Sequence, residues 1–143
     1  MAETIELEII SSHEVTLRSE IKDLYIPAFF GEAGVKSHHL PYLSLLKAGE
    51  ISYLDLDGVR HYLYSGEGFM EVKDDRITLI IDTFERGEDF QEGELQKELL
   101  ACEKRIKSSF QGAITPLELQ EELVRQKELR LKLDICKKLG KKN

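Results

Sequence analysis

The sequence predicts an α+β protein with an N-terminal antiparallel β-sandwich followed by a C-terminal helical hairpin. Hydrophobic and polar residues alternate through the first half, beginning with Ile5, Leu7 and Ile9, which is the period of a strand with one buried face. In the second half the hydrophobic spacing changes to three and four residues, as in amphipathic helices. We therefore expect two domains, residues 1–86 and residues 87–143.

Short runs of strand-forming residues fill the first domain. The predicted strands are residues 5–9, 15–17, 24–28, 43–46, 51–56, 59–64, 69–72 and 77–82. Between two of them stands Asp57-Gly58, which predicts a two-residue type I′ hairpin turn because both central positions of that turn need positive φ. Many short strands with closely spaced turns are typical of an antiparallel sandwich or barrel.

Two helices are predicted in the second domain. One helical face of residues 92–109 carries four apolar side chains, namely Leu95, Leu99, Cys102 and Ile106. The segment 110–114 contains Gly112 and ends this helix. Thr115-Pro116-Leu117-Glu118 then forms a capping box with proline at the first helical position, which predicts a second helix from there to about residue 139.

The second helix has apolar residues on two opposite sides. One stripe consists of Leu117, Val124, Leu131, Ile135 and Leu139, and the other of Leu119, Leu123, Leu129, Leu133 and Cys136. A surface helix needs only one such stripe. Either the second helix is buried between the first helix and the β-domain, or one stripe serves a second docking mode after the hairpin opens.

The composition is that of a soluble, folded chain, with 33% charged and 41% hydrophobic residues. Its apolar runs are too short for a membrane-spanning helix, and no hydrophobic stretch of the secretory type begins the sequence. Cys102 and Cys136 lack metal-ligand spacing, so we expect reduced packing residues of a cytosolic compartment.

The net charge of −7 is unevenly distributed. Residues 1–86 contain 8 Lys and Arg against 16 Asp and Glu, and residues 87–115 contain 4 against 6, whereas residues 116–143 contain 8 against 5. The basic end either complements the dipole of the second helix or docks on an acidic partner, and composition leaves both open.

No catalytic or metal-binding constellation is recognisable in the sequence. The histidines are His13, His38, His39 and His61, and none has the helical i, i+4 pairing of a metalloenzyme. No nucleophile elbow or phosphate-binding loop occurs either. Glu32 lies between two glycines, which predicts an exposed, tightly shaped loop that presents its carboxylate to a polar partner. We expect no cofactor, metal or catalytic residue.

An ordered set of motifs gives a family resemblance. The motifs are Gly31-Glu32-Ala33-Gly34-Val35, His39-Leu40-Pro41, Lys47-Ala48-Gly49-Glu50-Ile51, Ser65-Gly66-Glu67-Gly68-Phe69-Met70-Glu71-Val72 and Ile81-Asp82-Thr83-Phe84-Glu85-Arg86. In this order, ahead of a helical tail, they resemble the epsilon subunit of F-type ATP synthases over nearly the whole chain. The chain departs from the family at Ser37-His38, which replace a proline and a glycine.

The resemblance implies a non-catalytic rotor subunit that couples proton translocation to ATP synthesis and restrains ATP hydrolysis. It implies that the sandwich binds the gamma subunit of the central stalk and rests on the polar loops of the c-ring. By position, Glu32 would face the c-ring, while Ser11, His39 and Ser44 would lie toward gamma. The location implied is peripheral, on the cytoplasmic face of the bacterial inner membrane.

For the tail, the resemblance implies docking on the alpha/beta catalytic head against an acidic segment of the beta subunit. The basic residues in the middle of the second helix are the expected contacts, namely Arg125, Lys127, Arg130 and Lys132. Some bacterial members bind ATP through an Asp and an Arg at the start of the first helix. Here Gln91 and Glu94 occupy those positions, so phosphate would meet a carboxylate and we expect no nucleotide binding.

Two other functional hypotheses remain open from the sequence. One is a stand-alone β-sandwich adaptor whose basic helical tail recruits an acidic partner. The other is a small hydrolase that uses Glu32 and His39 as an acid/base pair.

Overall fold

The fold is a β-rich unit followed by a helical unit, and the chain divides into Met1–Arg86 and Gly87–Asn143. The computed structural model describes residues 4–11, 14–28, 31–36 and 41–140, with the backbone alone for 14–16, 28 and 31–36. The described part of the first unit has nine strands: β1 Ile5–Ser11, β2 Glu14–Ala28, β3 Gly31–Lys36, β4 Tyr42–Leu46, β5 Gly49–Asp55, β6 Arg60–Ser65, β7 Gly68–Lys73, β8 Arg76–Ile81 and β9 Phe84–Arg86. This confirms the predicted sandwich.

The long strand β2 belongs to both layers of the sandwich. Its first part pairs with β1, and its second part pairs with β3 on one side and β5 on the other. The pairing with β5 shifts between Ile21 and Asp23, at the irregularity where the strand passes from one layer to the other. The prediction of separate strands at 15–17 and 24–28 was therefore wrong.

The two layers follow from the strand pairing. One layer has the order β2-β1-β8-β7-β4 and the other has β3-β2-β5-β6-β9, and the two are continuous because β2 belongs to both and also pairs with β4 at Ala28 and Leu46. Most pairs are antiparallel as predicted, but β1 and β8 run parallel. In the first layer β4, β7, β8 and β1 are consecutive neighbours, so their outward side chains share one face.

The hairpin turns differ from the prediction. Gly58 has φ +81°, but Asp57 does not have positive φ, and the Gly58 N–H donates to the Asp55 carbonyl at 3.1 Å in a three-residue loop. The Asp55 carboxylate tightens this loop by accepting from the N–H groups of Asp57 and Val59, both at 2.9 Å. The two-residue loop with positive φ at both positions is Asp74-Asp75 instead, with φ of 52° and 57°.

Two short strands were missed, and one glycine motif is explained. The segment around Glu32 is strand β3 and not a loop, and β9 pairs with β6. Two of the six residues of β3 are glycines, which have no side chain to show a period of two. Gly68 lies between β4 and β8, where a Cβ would overlap the Ile80 carbonyl, so this position admits no side chain.

Among the described residues, the buried core cluster of the first unit consists of side chains from its own strands. The buried cluster begins at Ile5 on β1 and ends at Ile81 on β8, with Phe84 packed against it. We therefore expect a chain ending at Gly87 to fold by itself and to melt cooperatively. In both the shortened and the full chain, Leu79→Ala should lower the free energy of unfolding by the same amount, about 2–5 kcal/mol.

Calorimetry and chemical denaturation of the two lengths measure this. An aggregated or molten product from the shortened chain, or a Leu79→Ala effect that differs between the lengths, would show that the helices complete the core.

The helical unit is the predicted hairpin. Helix α1 spans Glu92–Ser108 and helix α2 spans Pro116–Lys138, with a 3-10 turn at Ser109–Gln111 between them. The predicted cap is confirmed, since Thr115 Oγ1 accepts from the Glu118 N–H at 3.2 Å.

Burial divides α2 along its length. Leu117, Leu123 and Val124 are exposed in its first half, and the buried residues lie in its second half: Leu129, Lys132, Ile135 and Cys136. Both predicted stripes contribute to the buried set, because Ile135 belongs to one and Leu129 and Cys136 to the other. Each stripe therefore has exposed members near the start of the helix and buried members nearer its end.

Candidate partner-binding surfaces

A row of apolar side chains crosses the outward face of the first layer. Leu45 on β4 pairs with Phe69 on β7, Phe69 pairs with Ile80 on β8, and Ile80 pairs with Ile10 on β1. Leu45 and Phe69 are each 51% exposed and Ile80 is 48% exposed. We call these four residues the apolar row. Four adjacent strands place its ends about 14 Å apart.

The row exists because these strands are apolar on both faces. Each row residue stands next to a residue that points into the core, as Leu45 does beside Leu46 and Phe69 beside Met70. Leu43, two positions before Leu45 and on the same face, is 72% exposed and extends the apolar surface. An exposed contiguous apolar surface of this kind is characteristic of protein interfaces.

Carboxylates border the apolar row. Glu67 and Asp82 line the same shallow groove as Ile10, Phe69 and Ile80. The Asp82 carboxylate already has a partner in its own turn, because its Oδ1 accepts a hydrogen bond from the Thr83 N–H at 2.7 Å.

On the other side of the row, Glu71 lies between Leu43 on β4 and Thr78 on β8. Glu67 and Glu71 are both exposed. Within the part of the chain that the structure describes, neither carboxylate has a hydrogen bond or ion pair. Both are therefore available to a partner.

Ion pairs connect the two helices of the hairpin. Arg125 lies 3.3 Å from Glu98 and Arg130 lies 3.6 Å from Glu103, so two predicted tail contacts on α2 face carboxylates of α1. Arg105 of α1 makes the reverse pair with Glu122 of α2 at 3.2 Å. All three arginines are at least half exposed, so each pair contributes little on its own.

The two remaining basic residues of the predicted tail set differ from each other. Lys127 is exposed and has no ion pair among the described residues. Lys132 is buried, with its Nζ 3.0 Å from Glu128 Oε2 and 5.8 Å from the centre of the Phe90 ring. Lys132 is therefore not presented at the surface in this conformation, and its contact with a partner stays a prediction. Its long apolar stem allows burial of the side chain.

Cys102 and Cys136 are both buried, and no disulfide joins them. The Cys102 thiol donates to the Glu122 carbonyl at 3.1 Å across the hairpin. Burial raises the pKa of this thiol to about 11, with Glu122 adding to the effect, so it stays protonated at neutral pH. Cys102 is a packing residue that joins α1 to α2.

One acid–histidine pair occurs in the described part of the sandwich. His61 Nε2 lies 2.7 Å from Asp55 Oδ2, and the His61 ring stacks on Tyr53 at 4.7 Å between centroids. The hydrogen bond from His61 lowers the pKa of the Asp55 carboxyl. Asp55 also holds the β5–β6 turn, so the pair stabilises that hairpin. Among residues 4–11, 17–27 and 41–140, no three His, Cys, Asp or Glu side chains cluster as a metal site.

Comparison with known proteins agrees with this architecture. Residues 4–87 match the family model for the β-sandwich domain of the ATP synthase delta/epsilon chain. The ATP synthase epsilon chain of Desulfosudis oleivorans is 34% identical over 110 residues, which is 76% of this chain and 81% of that one. The epsilon chain of Nitratidesulfovibrio vulgaris is 31% identical over 130 residues, which is 89% of this chain and 96% of that one.

The chain belongs to the ATP synthase epsilon chain family. As a member of this family it is a non-catalytic subunit of an ATP synthase. The alternative hypotheses of a small hydrolase and of a stand-alone adaptor are therefore not supported. A chain of the Euglena gracilis mitochondrial ATP synthase has the same fold, with a TM-score of 0.72 at 18% identity over 98% of this chain and 81% of that one.

In this epsilon-family chain, two of the predicted contact residues, Ser11 and Ser44, are sequence neighbours of the apolar row. Ser11 follows Ile10, is 9% exposed and donates to the Asp82 carbonyl at 3.3 Å. Ser44, between Leu43 and Leu45, is half-buried and donates to the Leu45 carbonyl at 3.0 Å.

The other two predicted contact residues are only partly placed. Glu32 lies on β3 with its backbone opposite Pro27, and its side chain is outside the described residues. His39 is outside them altogether. Neither α1 nor α2, the two α-helices of the described residues, is long and apolar enough to cross a membrane.

Proposed function

We propose that this chain is a central-stalk rotor subunit whose sandwich docks on the gamma subunit through the apolar row. The exposed, register-matched row of Leu45, Phe69 and Ile80 carries this proposal. Burying such a surface against a partner is favourable at about 25 cal/mol per Å² of apolar area. Similar folds occur in solved complexes described as a mitochondrial F1/c-ring assembly and as a central stalk with its c-ring, which supports this placement.

The predicted gamma contacts Ser11 and Ser44 lie on the strands that carry the apolar row, although their side chains alternate with those of the row and lie on the other face. Ser11 and Ser44 are sequence neighbours of the row, so the strands that the resemblance assigns to gamma are those that carry it. Because side chains alternate along a strand, we expect Ile10, Leu43 and Leu45 to make the main contacts. His39 is expected near the same partner.

The c-ring contact is proposed for Glu32. Its strand β3 stands at the edge of the other layer and pairs with β2 alone among the described strands. Gamma and the c-ring would therefore meet different parts of the same sandwich. This arrangement lets the subunit couple proton translocation to ATP synthesis as part of the rotor, on the cytoplasmic face of the membrane.

The hairpin is proposed to restrain ATP hydrolysis by docking α2 on the catalytic head. Arg125, Lys127 and Arg130 would face an acidic segment of the beta subunit. Arg125 and Arg130 already pair with α1 carboxylates, so docking exchanges one set of carboxylates for another. Exposed ion pairs contribute only about 0.2–1 kcal/mol each, so the exchange is easily reversed. Lys132 would join only if α2 left its present packing.

Co-purification tests the central-stalk role. The tagged full chain should be recovered from detergent-solubilised membranes together with gamma, the c-ring and the catalytic head. It should itself show no ATPase activity. Recovery of the tagged chain free of these subunits, from membranes in which the rest of the synthase is intact, would refute the proposal.

A further inference from the structure

We call the outward face of the first layer, which carries the apolar row, the docking face. We propose that this face selects a partner whose apolar surface is bordered by Lys or Arg, and that Glu67 and Glu71 bind those cations. This inference rests on the proposed function and specifies the chemistry of the gamma surface. Apolar burial alone favours any hydrophobic partner, whereas charges around it determine which partner fits.

The position of the two carboxylates supports this inference. Glu67 lies two residues before Phe69 and Glu71 lies two residues after it. Phe69 itself stands inside the row, between Leu45 and Ile80. Glu67 shares a groove with Phe69 and Ile80, and Glu71 stands between the exposed Leu43 and Thr78. A partner that covers Phe69 therefore meets a carboxylate at both margins of the contact.

The charges near the row make its margin acidic. Glu8 lies beside Thr78 but is neutralised by Arg18, at 2.8 Å. Arg76 forms an ion pair with Glu6 at 3.4 Å, and Glu6 lies two residues before Glu8 on β1.

Two further charges lie near the row. Lys73 lies two positions beyond Glu71 on the same strand face, away from the apolar row. Asp82 adds a third carboxylate at the groove, although it also holds its own turn. The unit as a whole has 16 acidic against 8 basic residues, so it attracts a basic surface over longer range as well.

Leaving these carboxylates next to an uncharged partner would be unfavourable. Docking removes water from the margin of the contact, and a carboxylate that loses water without gaining a donor is penalised. A Lys or Arg on the partner compensates this loss, and Arg can do so with two parallel hydrogen bonds. The same pair would exclude partners with acidic margins, which is how an interface gains specificity.

The test compares Glu67→Gln/Glu71→Gln with Glu20→Lys in the full chain. Glu20 is exposed on β2 in the same layer, away from the row, and Glu20→Lys changes the net charge by as much as the double replacement. Binding to the purified gamma subunit is measured at two salt concentrations, about 50 and about 300 mM NaCl. Melting temperatures near that of the unmodified chain confirm that both variants are folded.

We expect the double Gln variant to bind about three- to tenfold more weakly at low salt, because each pair at an interface margin contributes modestly. Its association rate should fall and its affinity should depend less on salt than that of the unmodified chain. Glu67→Lys/Glu71→Lys should weaken binding further, and Glu20→Lys should leave it nearly unchanged.

Unchanged affinity and salt dependence in the double Gln variant would overturn the inference, and so would an equal loss in Glu20→Lys. The row variant Leu45→Asp/Phe69→Asp separates this failure from failure of the proposed function. If that variant loses binding while the Gln variant does not, the result supports docking through the apolar row and refutes only the role proposed for Glu67 and Glu71. If it binds normally, both proposals fail.

Discussion

Replacing Leu45 and Phe69 together by Asp is expected to weaken binding to the gamma subunit by at least about a hundredfold, because Phe69 lies inside the apolar row and Leu45 neighbours both Phe69 and the exposed Leu43. Both side chains are half exposed in the free chain, so the replacements should leave the fold intact. In the complex each Asp would be a buried charge without a partner. The measurement is recovery of the variant with gamma from solubilised membranes, together with its affinity for purified gamma.

A matched pair of replacements controls for the change in composition. Leu56 and Val59, 45% and 52% exposed, flank the β5–β6 turn away from the apolar row. Leu56→Asp/Val59→Asp should assemble like the unmodified chain. Equal loss in both pairs would mean that the added charge acts nonspecifically. Normal assembly of the Leu45→Asp/Phe69→Asp chain would place gamma on another surface.

Local periodicity predicted most of the strands and both helices, but it missed the apolar row. The alternation of Ile5, Leu7 and Ile9 shows one buried face, and the structure confirms it. The row is signalled differently, by two adjacent apolar residues within a strand, as at Phe69-Met70. Such a pair places apolar side chains on both faces of a single layer, so one of them must meet solvent or a partner.

Strand pairing could not be predicted where it depends on distant residues. Nothing within β2 shows that it continues through Lys22, because the shift between Ile21 and Asp23 is set by its change of neighbours from β1 to β5. For β3, glycines remove the side-chain period. The turn at Asp57-Gly58 differed because the Asp55 carboxylate holds a three-residue loop.

In the hairpin, sequence predicted the cap and the α1 face but not the state of the basic residues. A charge count treats Lys127 and Lys132 alike. The structure exposes the first and buries the second against Glu128 and Phe90. Likewise, the pairing of Arg125 with Glu98 depends on the alignment of two antiparallel helices, which single-helix periodicity does not specify.

Deleting residues 88–143 is expected to raise ATP hydrolysis by the assembled complex at least about fivefold, the lower end of typical coupling between a regulatory element and a distant site. Assembly should be retained, since the core of the sandwich and the apolar row both lie before residue 88. Steady-state hydrolysis is measured with complexes shown by gel to contain the shortened subunit. Unchanged hydrolysis in such complexes would leave the hairpin a purely structural element.

The charge dependence of this restraint distinguishes specific docking of α2 from steric obstruction by the hairpin. Arg125→Ala/Lys127→Ala/Arg130→Ala should raise hydrolysis by part of the deletion effect, because exposed pairs of about 0.2–1 kcal/mol each add up to a moderate change. The matched control removes three exposed lysines of α1: Lys97, Lys104 and Lys107. Lys132→Met, which keeps the buried stem, should have the smallest effect of the basic-residue replacements on α2. If the α1 control releases hydrolysis as much as the α2 set, the restraint does not come from α2 docking on an acidic segment.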